Sequence, residues 1–328
     1  MSPRPSRFPH LEVSVHVTGA VSGDPSSLAT PGRRLRECLH GTTPCQLMGV
    51  HDGLSARIAV AEGFEALWAS GLCMSTAMGV RDSDEASWTE LLTLVATMTE
   101  AVPVPILVDG DAGYGNFNTA RRFSARAERV GAAGVCIEDK KFPKMNSFVG
   151  GDSGHQLVPA GEFAGKIRAC KDAQRHPDFV VVARTEALIA GLPVAEALSR
   201  ADAYVTAGAD ALFIHSKVST PVQIAEFMAQ WDRRVPVVVA PTTYCTPTVD
   251  DFRELGIAGC IWANHSMRAA FTAMRDVCQQ IRADGGLAGV EQHVAPLKEV
   301  FSLFQYQKLE EDEVLYASGN TGSEQASR

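Results

Sequence analysis

Short apolar runs recur along this 328-residue chain. They fall at 46–50, 66–69, 105–108, 135–137, 179–183, 211–214, 235–240 and 260–263. Each is only a few residues long and apolar without strict alternation, the pattern of a strand covered on both faces. Each is followed by a polar turn, and most by a helix-length amphipathic segment, as at 85–100, up to 129, 161–173 and 193–207. Eight strand signals alternating with helices predict an α/β fold with parallel strands inside and helices outside. Eight units suffice to close a (β/α)8 TIM barrel; a doubly wound open sheet is the alternative arrangement. The barrel is favoured because a polar residue follows every strand, and in barrels the C-terminal strand ends form the active-site face.

The stretch from Glu138 to Phe148 is central to this reading. It leaves the apolar strand at 134–137 and enters a charged loop with Lys141 and Lys144 as cationic candidates for an anionic substrate. Pro143 stiffens the loop, and Asn146 and Ser147 add uncharged hydrogen-bonding groups. The connection from 138 to 179 is longer than its neighbours, as a mobile lid over the barrel mouth would require.

Outside this core, residues 1–33 are rich in Pro, Ser and Gly and read as an irregular N-terminal extension. Residues 34–317 form the single barrel domain, and 318–328 read as a disordered tail. Helical patterns at 267–282 and 294–304 exceed what closing a barrel needs, so their apolar faces predict a partner subunit.

A hydrophobic content of 45% permits a sizeable core. A net charge of −8 with scattered basic residues argues against a nucleic-acid surface. No apolar run reaches the length of a membrane span, and residues 1–7 lack the apolar centre of a signal peptide. A soluble, cytoplasmic protein is expected. The eight cysteines show no Cys-x-x-Cys and no repeated spacing, which argues against a metal cage or a disulfide framework.

Asp109 and Asp111 end one strand and Glu138 ends the next. Three carboxylates at one mouth repel one another unless a cation sits among them, and an all-oxygen set suits hard Mg2+. Asp82, on the loop after the second strand, can join through water. Arg184 and His215 end the fifth and sixth strands, where an Arg can grip a carboxylate or phosphoryl group bidentately and a His can donate to it. Taken singly each is more often a structural hydrogen-bonder; together they describe a site for a Mg2+-bound, doubly anionic small molecule. The pattern Asp109-x-Asp111 does not continue as a calcium loop, and no nucleophile elbow or zinc-protease helix is present in the sequence.

These residues resemble the phosphoenolpyruvate mutase branch of the isocitrate lyase superfamily. The resemblance covers 34–317 and rests chiefly on Glu138-Asp-Lys-x-Phe-Pro-Lys144-x-Asn146-Ser147. Supporting it are Trp68-x-Ser70-Gly71-Leu72, Gly79-Val-Arg-Asp82-Ser83, Asp109-x-Asp111-x-Gly-Tyr-Gly-Asn116, Ala183-Arg184-x-Glu186-Ala187, His215-Ser216 and Trp262-Ala-Asn264-His265.

The resemblance implies Mg2+, and a homodimer or homotetramer whose last barrel helix is exchanged between subunits. It implies that Asp109 binds the metal directly while Asp82, Asp111 and Glu138 hold its waters. Ser70, Gly71 and Leu72 would bind the substrate carboxylate end beside Trp68. Lys144, Asn146 and Ser147 would ride on the gating loop, with Asn146, Arg184 and His215 around the phosphoryl group. The implied reaction interconverts phosphoenolpyruvate and phosphonopyruvate, forming a C–P bond for phosphonate biosynthesis.

The superfamily's lyases carry a catalytic Cys in a Lys-Lys-Cys-Gly-His loop, where this chain has Lys140-Lys-Phe-Pro-Lys144. Phosphonopyruvate hydrolase resembles the chain more closely but typically has Thr where Asn146 stands. A mutase acting on a carboxylated relative of phosphonopyruvate is a further alternative. An inactive barrel serving as a scaffold is disfavoured, because none of the carboxylates nor Lys144 is lost. The chain departs from the family pattern at Asp52, where Asn is common, at Gly110, where Ala is, and at Thr185, where Val is.

Overall fold

The computed structural model describes residues 29–149 and 155–317. The extension expected at 1–33 lies outside the described residues up to 28, as does the whole of the expected tail at 318–328. Eight parallel strands close into a barrel in sequence order: β1 (Cys45–Val50), β2 (Ala66–Ala69), β3 (Ile106–Asp109), β4 (Gly134–Glu138), β5 (Val180–Thr185), β6 (Ala211–Ile214), β7 (Val237–Val239) and β8 (Gly259–Trp262). The open-sheet alternative is thereby set aside.

The helices of the barrel are α1 (Pro31–Leu39), α2 (Gly53–Ala61), α3 (Gly71–Ala77), α4 (Trp88–Ala101), α5 (Phe117–Arg129), α6 (Ala160–Ala173), α7 (Val194–Thr206), α8 (Val222–Gln230) and α9 (Val249–Glu254). Capping fixes several starts. In α4, Ser87 Oγ accepts from Glu90 N while Glu90 accepts from Ser87 N, satisfying two otherwise free donors. The apolar stripe Leu91, Leu92, Val95 and Met98 then turns inward.

One apolar cluster fills the space between strands and helices, and a second fills the barrel interior with Leu47, Trp68, Leu107, Val182, Phe213 and Ile261. Helix α1 begins at Pro31 and takes in the last three residues of the stretch read as irregular, because Thr30 accepts from Arg33 N and caps it. Its Leu35 and Leu39 are buried in the interior cluster, and Arg36 pairs with Asp210 at 2.7 Å. The end of the barrel opposite the strand C-termini is thus sealed by a helix. Cys38 at the end of α1 is disulfide-bonded to Cys45 at the start of β1, which the spacing of the cysteines did not suggest. The other six cysteines are free.

Strand register sets the site. Glu138 on β4 pairs with Arg184 on β5, and Arg184 with Phe213 on β6, so these side chains start from adjacent positions at one rim.

A second compact unit begins at Ala269, within α10 (His265–Asp284). It continues through a 3-10 turn at Glu291–His293 to α11 (Leu297–Leu303) and α12 (Tyr306–Ala317). Helix α10 has no buried residue along its length, and Phe271, Met274, Leu297, Leu309 and Leu315 are all exposed. Among the described residues no helix is long and apolar enough to cross a membrane.

Candidate active site

The strand C-termini deliver polar side chains to one pocket. Its wall includes Trp68, Ser70 and Leu72 from the β2 end, Asp82 from the loop after α3, and Asp109 and Glu138 from β3 and β4. Beside Glu138, at the ends of β5 and β6, stand Arg184, 3.1 Å from its carboxylate, and His215. Lys144, Asn146, Ser147 and Phe148 contribute from the loop after β4, so that loop lies over the pocket. Two expected residues are not in the wall. Gly71 gives its N–H to Asp109 Oδ2 at 3.1 Å, and Asp111 sits behind, buried against Lys144. A methyl group at Gly71 would lie 3.1 Å from carboxylate oxygens of both Asp109 and Asp111, so glycine gives these anions room.

The loop is seated by charge. Lys144 Nζ lies 2.7 Å from Asp82 and 2.5 Å from Asp111, and Lys144 N donates to Asp84 at 2.6 Å. Asn146 Nδ2 donates to Asp82 at 2.5 Å, and Asn146 Oδ1 accepts from Phe148 N. Asp84 and Asp111 both adopt left-handed backbone, φ 57° and 47°, a conformation that short polar residues tolerate. Lys141, the other cationic candidate, points to solvent; Lys140 is the buried one, with Nζ 2.6 Å from Ser147 Oγ. Period-two geometry explains the exchange: Lys140 follows Glu138 by two and shares its face, whereas Lys141 falls on the other.

Glu186, a motif residue to which the sequence assigns no role, lies behind the pocket wall and joins its polar groups. Its carboxylate contacts Arg184, His215, Ser147 and Lys140. Asp139 beneath it is fully buried and accepts from Tyr204, Thr185 and Glu186 N while pairing with Arg200. Thr242 and Asn264 complete the wall on the β7–β8 side.

Burial dominates the electrostatics of the near wall. It pushes Asp109 above the ordinary carboxylate range and Asp111 well above it, against the pull of Lys144. Burial also disfavours a charged Lys144, but Asp111 and Asp82 overcome it and hold the ammonium well above its ordinary value. Asp82 is lowered: burial opposes its charge, and Lys144 and Asn146 more than compensate.

Four carboxylates, those of Asp82, Asp109, Asp111 and Glu138, crowd around Lys144 and Arg184. Glu138 Oε1 is buried without a hydrogen-bond donor, with Lys140 Nζ 3.7 Å away. This surplus of buried oxygen anions fits a hard divalent cation. Among the described residues no group of three or more His, Cys, Asp or Glu side chains is arranged so as to hold a metal ion.

Residues 35–282 match the family described as phosphoenolpyruvate phosphomutase. The chain belongs to this family. It is 74% identical over 298 residues to a phosphoenolpyruvate phosphomutase of Streptomyces hygroscopicus, covering 90% of this chain and 95% of that one. Among solved structures it is similar to a phosphoenolpyruvate phosphomutase of Streptomyces platensis subsp. rosaceus, with a TM-score of 0.85, 42% identity and 87% and 99% of the two chains covered. It is also similar to a phosphonopyruvate hydrolase solved with oxalate and Mg2+, with a TM-score of 0.82, 36% identity and 88% and 100% covered.

Local structure accounts for Asp52, Gly110 and Thr185. Asp52 caps α2, accepting from Ser55 N at 2.7 Å, and is not part of the pocket wall. Its charge serves a helix start rather than the site. A methyl group at Gly110 would stand 2.6 Å from the Phe123 ring, so the ring occupies the space an alanine would need. Thr185 donates to Asp139 at 3.0 Å, a bond that valine could not make.

Proposed function

We propose that the chain interconverts phosphoenolpyruvate and phosphonopyruvate by moving one phosphoryl group from an enol oxygen to the adjacent methylene carbon. The observation that carries this reading is one pocket in which buried carboxylates on β3 and β4 adjoin the Arg184–His215 pair at the ends of β5 and β6, under a loop bearing Asn146. One P–O bond breaks and one P–C bond forms, with no water and no net proton. The site therefore has to position both fragments and keep solvent out.

Ser70 and Leu72 face the carboxylate and carbonyl end, with Trp68 packed edge-on to Phe213 as the floor. Arg184, His215 and Asn146 hold the phosphoryl oxygens while the group is between partners. Arg184 is kept rigid over the Phe213 ring, 4.8 Å from its centroid. Asp109 would bind Mg2+, with Asp82, Asp111 and Glu138 holding its waters; the ion would neutralise the carboxylate and enolate charge of the substrate. Seating of Lys144 on Asp82 and Asp111 brings Asn146 and Phe148 over the pocket and excludes water.

The enzyme acts in the cytoplasm as a homodimer or homotetramer. The exposed apolar residues of α10 to α12 support an exchange of the last barrel helix between subunits.

Phosphorus NMR of the purified protein with Mg2+ and phosphonopyruvate tests the reaction. A phosphoenolpyruvate signal is expected. Inorganic phosphate released together with pyruvate would instead identify a hydrolase, and an inert sample would leave a carboxylated substrate or a scaffold.

A further inference from the structure

We propose that Glu186 is a positioning residue that fixes His215 with its proton on Nδ1, and that His215 takes up a second proton at Nε2 when a phosphoryl dianion enters the pocket. The proposal rests on the phosphoryl-transfer reading above. Glu186 does not line the pocket, so it acts only through its neighbours.

The geometry is compact. Glu186 Oε1 lies 2.5 Å from Arg184 Nε and 2.6 Å from His215 Nδ1. Glu186 Oε2 lies 2.7 Å from Ser147 Oγ and 3.1 Å from Lys140 Nζ. One carboxylate thus joins both members of the phosphoryl-facing pair to a residue of the covering loop. Its backbone N–H is held by Asp139 at 2.8 Å, and Asp139 is in turn clamped by Tyr204 and Arg200. The carboxylate has little freedom to move.

The tautomer follows from donor and acceptor counting. Arg184 Nη2 is 2.9 Å from His215 Nδ1 and can only donate, whereas an ionised Glu186 can only accept. A single ring nitrogen cannot both accept from the first and donate to the second. Burial alone would favour a neutral Glu186, but Arg184, His215 and Lys140 hold it well below the ordinary carboxylate range, so it is the acceptor. Nδ1 therefore carries the proton and bonds Glu186 at the shorter distance. Nε2 is left as a lone pair, which repels phosphoryl oxygens until it is protonated.

The charged groups facing the imidazole are Glu186 and Arg184 at the end of β5 and Lys140 after β4. The rings of Phe148 and Phe213 enclose it. Burial holds the free imidazole below its ordinary range, so proton uptake from solvent accompanies binding rather than preceding it. Glu186 then balances the imidazolium.

The test uses the full chain with Mg2+, the wild type and Glu186→Gln, which preserves shape and removes the charge. Nitrogen-15 NMR of histidine-labelled wild type is expected to show His215 protonated at Nδ1, a readout independent of turnover. In the rate profile, kcat/KM is expected to fall at high pH as the imidazolium is lost. Glu186→Gln should move that basic limb to lower pH by about one unit or more, with at least about a tenfold loss at neutral pH. A role in packing alone would lower the rate equally at all pH. A basic limb that stays in place in a folded variant, or a wild-type His215 protonated at Nε2, would overturn the proposal. If the wild type proves inactive as a mutase, the reaction assignment fails while the NMR result still decides the tautomer.

Discussion

The Lys144 ammonium lies 2.7 Å from an Asp82 carboxylate oxygen, joining two loops whose residues are 62 positions apart. Both partners are nearly buried, and the pair is completed by Asp111 and Asn146. A latch of this kind closes the covering loop without an apolar hinge. Breaking one partner of a buried ion pair costs about 3–5 kcal/mol. Lys144→Met is therefore expected to leave the barrel folded but free the loop, raising the rate of cleavage within residues 139–149 in limited proteolysis and depressing kcat.

Among the described residues Asp109 is the buried near-wall carboxylate with no cation in salt-bridge range, and Gly71 N donates to it at 3.1 Å. Asp109→Asn should remove the strongest attraction for Mg2+ and reduce turnover by about a hundredfold or more. Calorimetric titration with Mg2+ checks the binding, and an undiminished rate in the presence of a chelator would contradict this role.

Asn146 reaches the pocket wall while its amide holds Asp82. Asn146→Ala should lower kcat by about 10²–10³-fold, the scale of losing one oriented donor, with an unchanged circular dichroism spectrum and melting temperature within a few degrees.

Gly110→Ala introduces a methyl group that meets the Phe123 ring at 2.6 Å. The expected cost is about 1–3 kcal/mol, measured by urea denaturation. Combining it with Phe123→Leu should recover part of the loss.

His215 titrates below its ordinary value of 6.5 in the folded enzyme because burial disfavours its charge, with Glu186 opposing and Arg184 adding to the shift. On acidification below 6.5 the unfolded chain binds this proton before the folded one, so folding stability drops as pH falls through that window. At pH above 6.5 the contribution is fully present. Denaturation at pH 7.5 and 5.5 should show a smaller pH dependence in His215→Asn than in the wild type.

Much of the barrel is legible in the sequence because buried parallel strands are apolar throughout and polar only at their ends. Residues 211–214 coincide with β6, and the long helices α4 to α7 are found within a few residues. Helices α2, α3, α8 and α9 are not, since one or two turns show too little periodicity to separate from a loop. At the site, strand-end residues with their own chemistry, such as Asp109, Arg184 and His215, stand out. Glu186 does not, because its role lies in what it touches rather than in where it stands in a run. The two-residue offset from Arg184 is the one signal that places it on the same side. The Cys38–Cys45 bond joins a helix to the strand after it and leaves no trace in spacing.

Leu35 and Leu39 of α1 fill the end of the barrel away from the strand C-termini, so among the described residues the doorway to the pocket lies on the side that the Lys144 loop covers. For most transferases one doorway is a disadvantage, because two products must leave in turn. An intramolecular rearrangement has no such queue: the atoms that enter are the atoms that leave. With the Lys144 latch as a gate, each turnover would need one opening to admit a molecule and one to release it. The latch frequency would then bound kcat from above in both directions, independent of how far the chemical equilibrium favours either isomer.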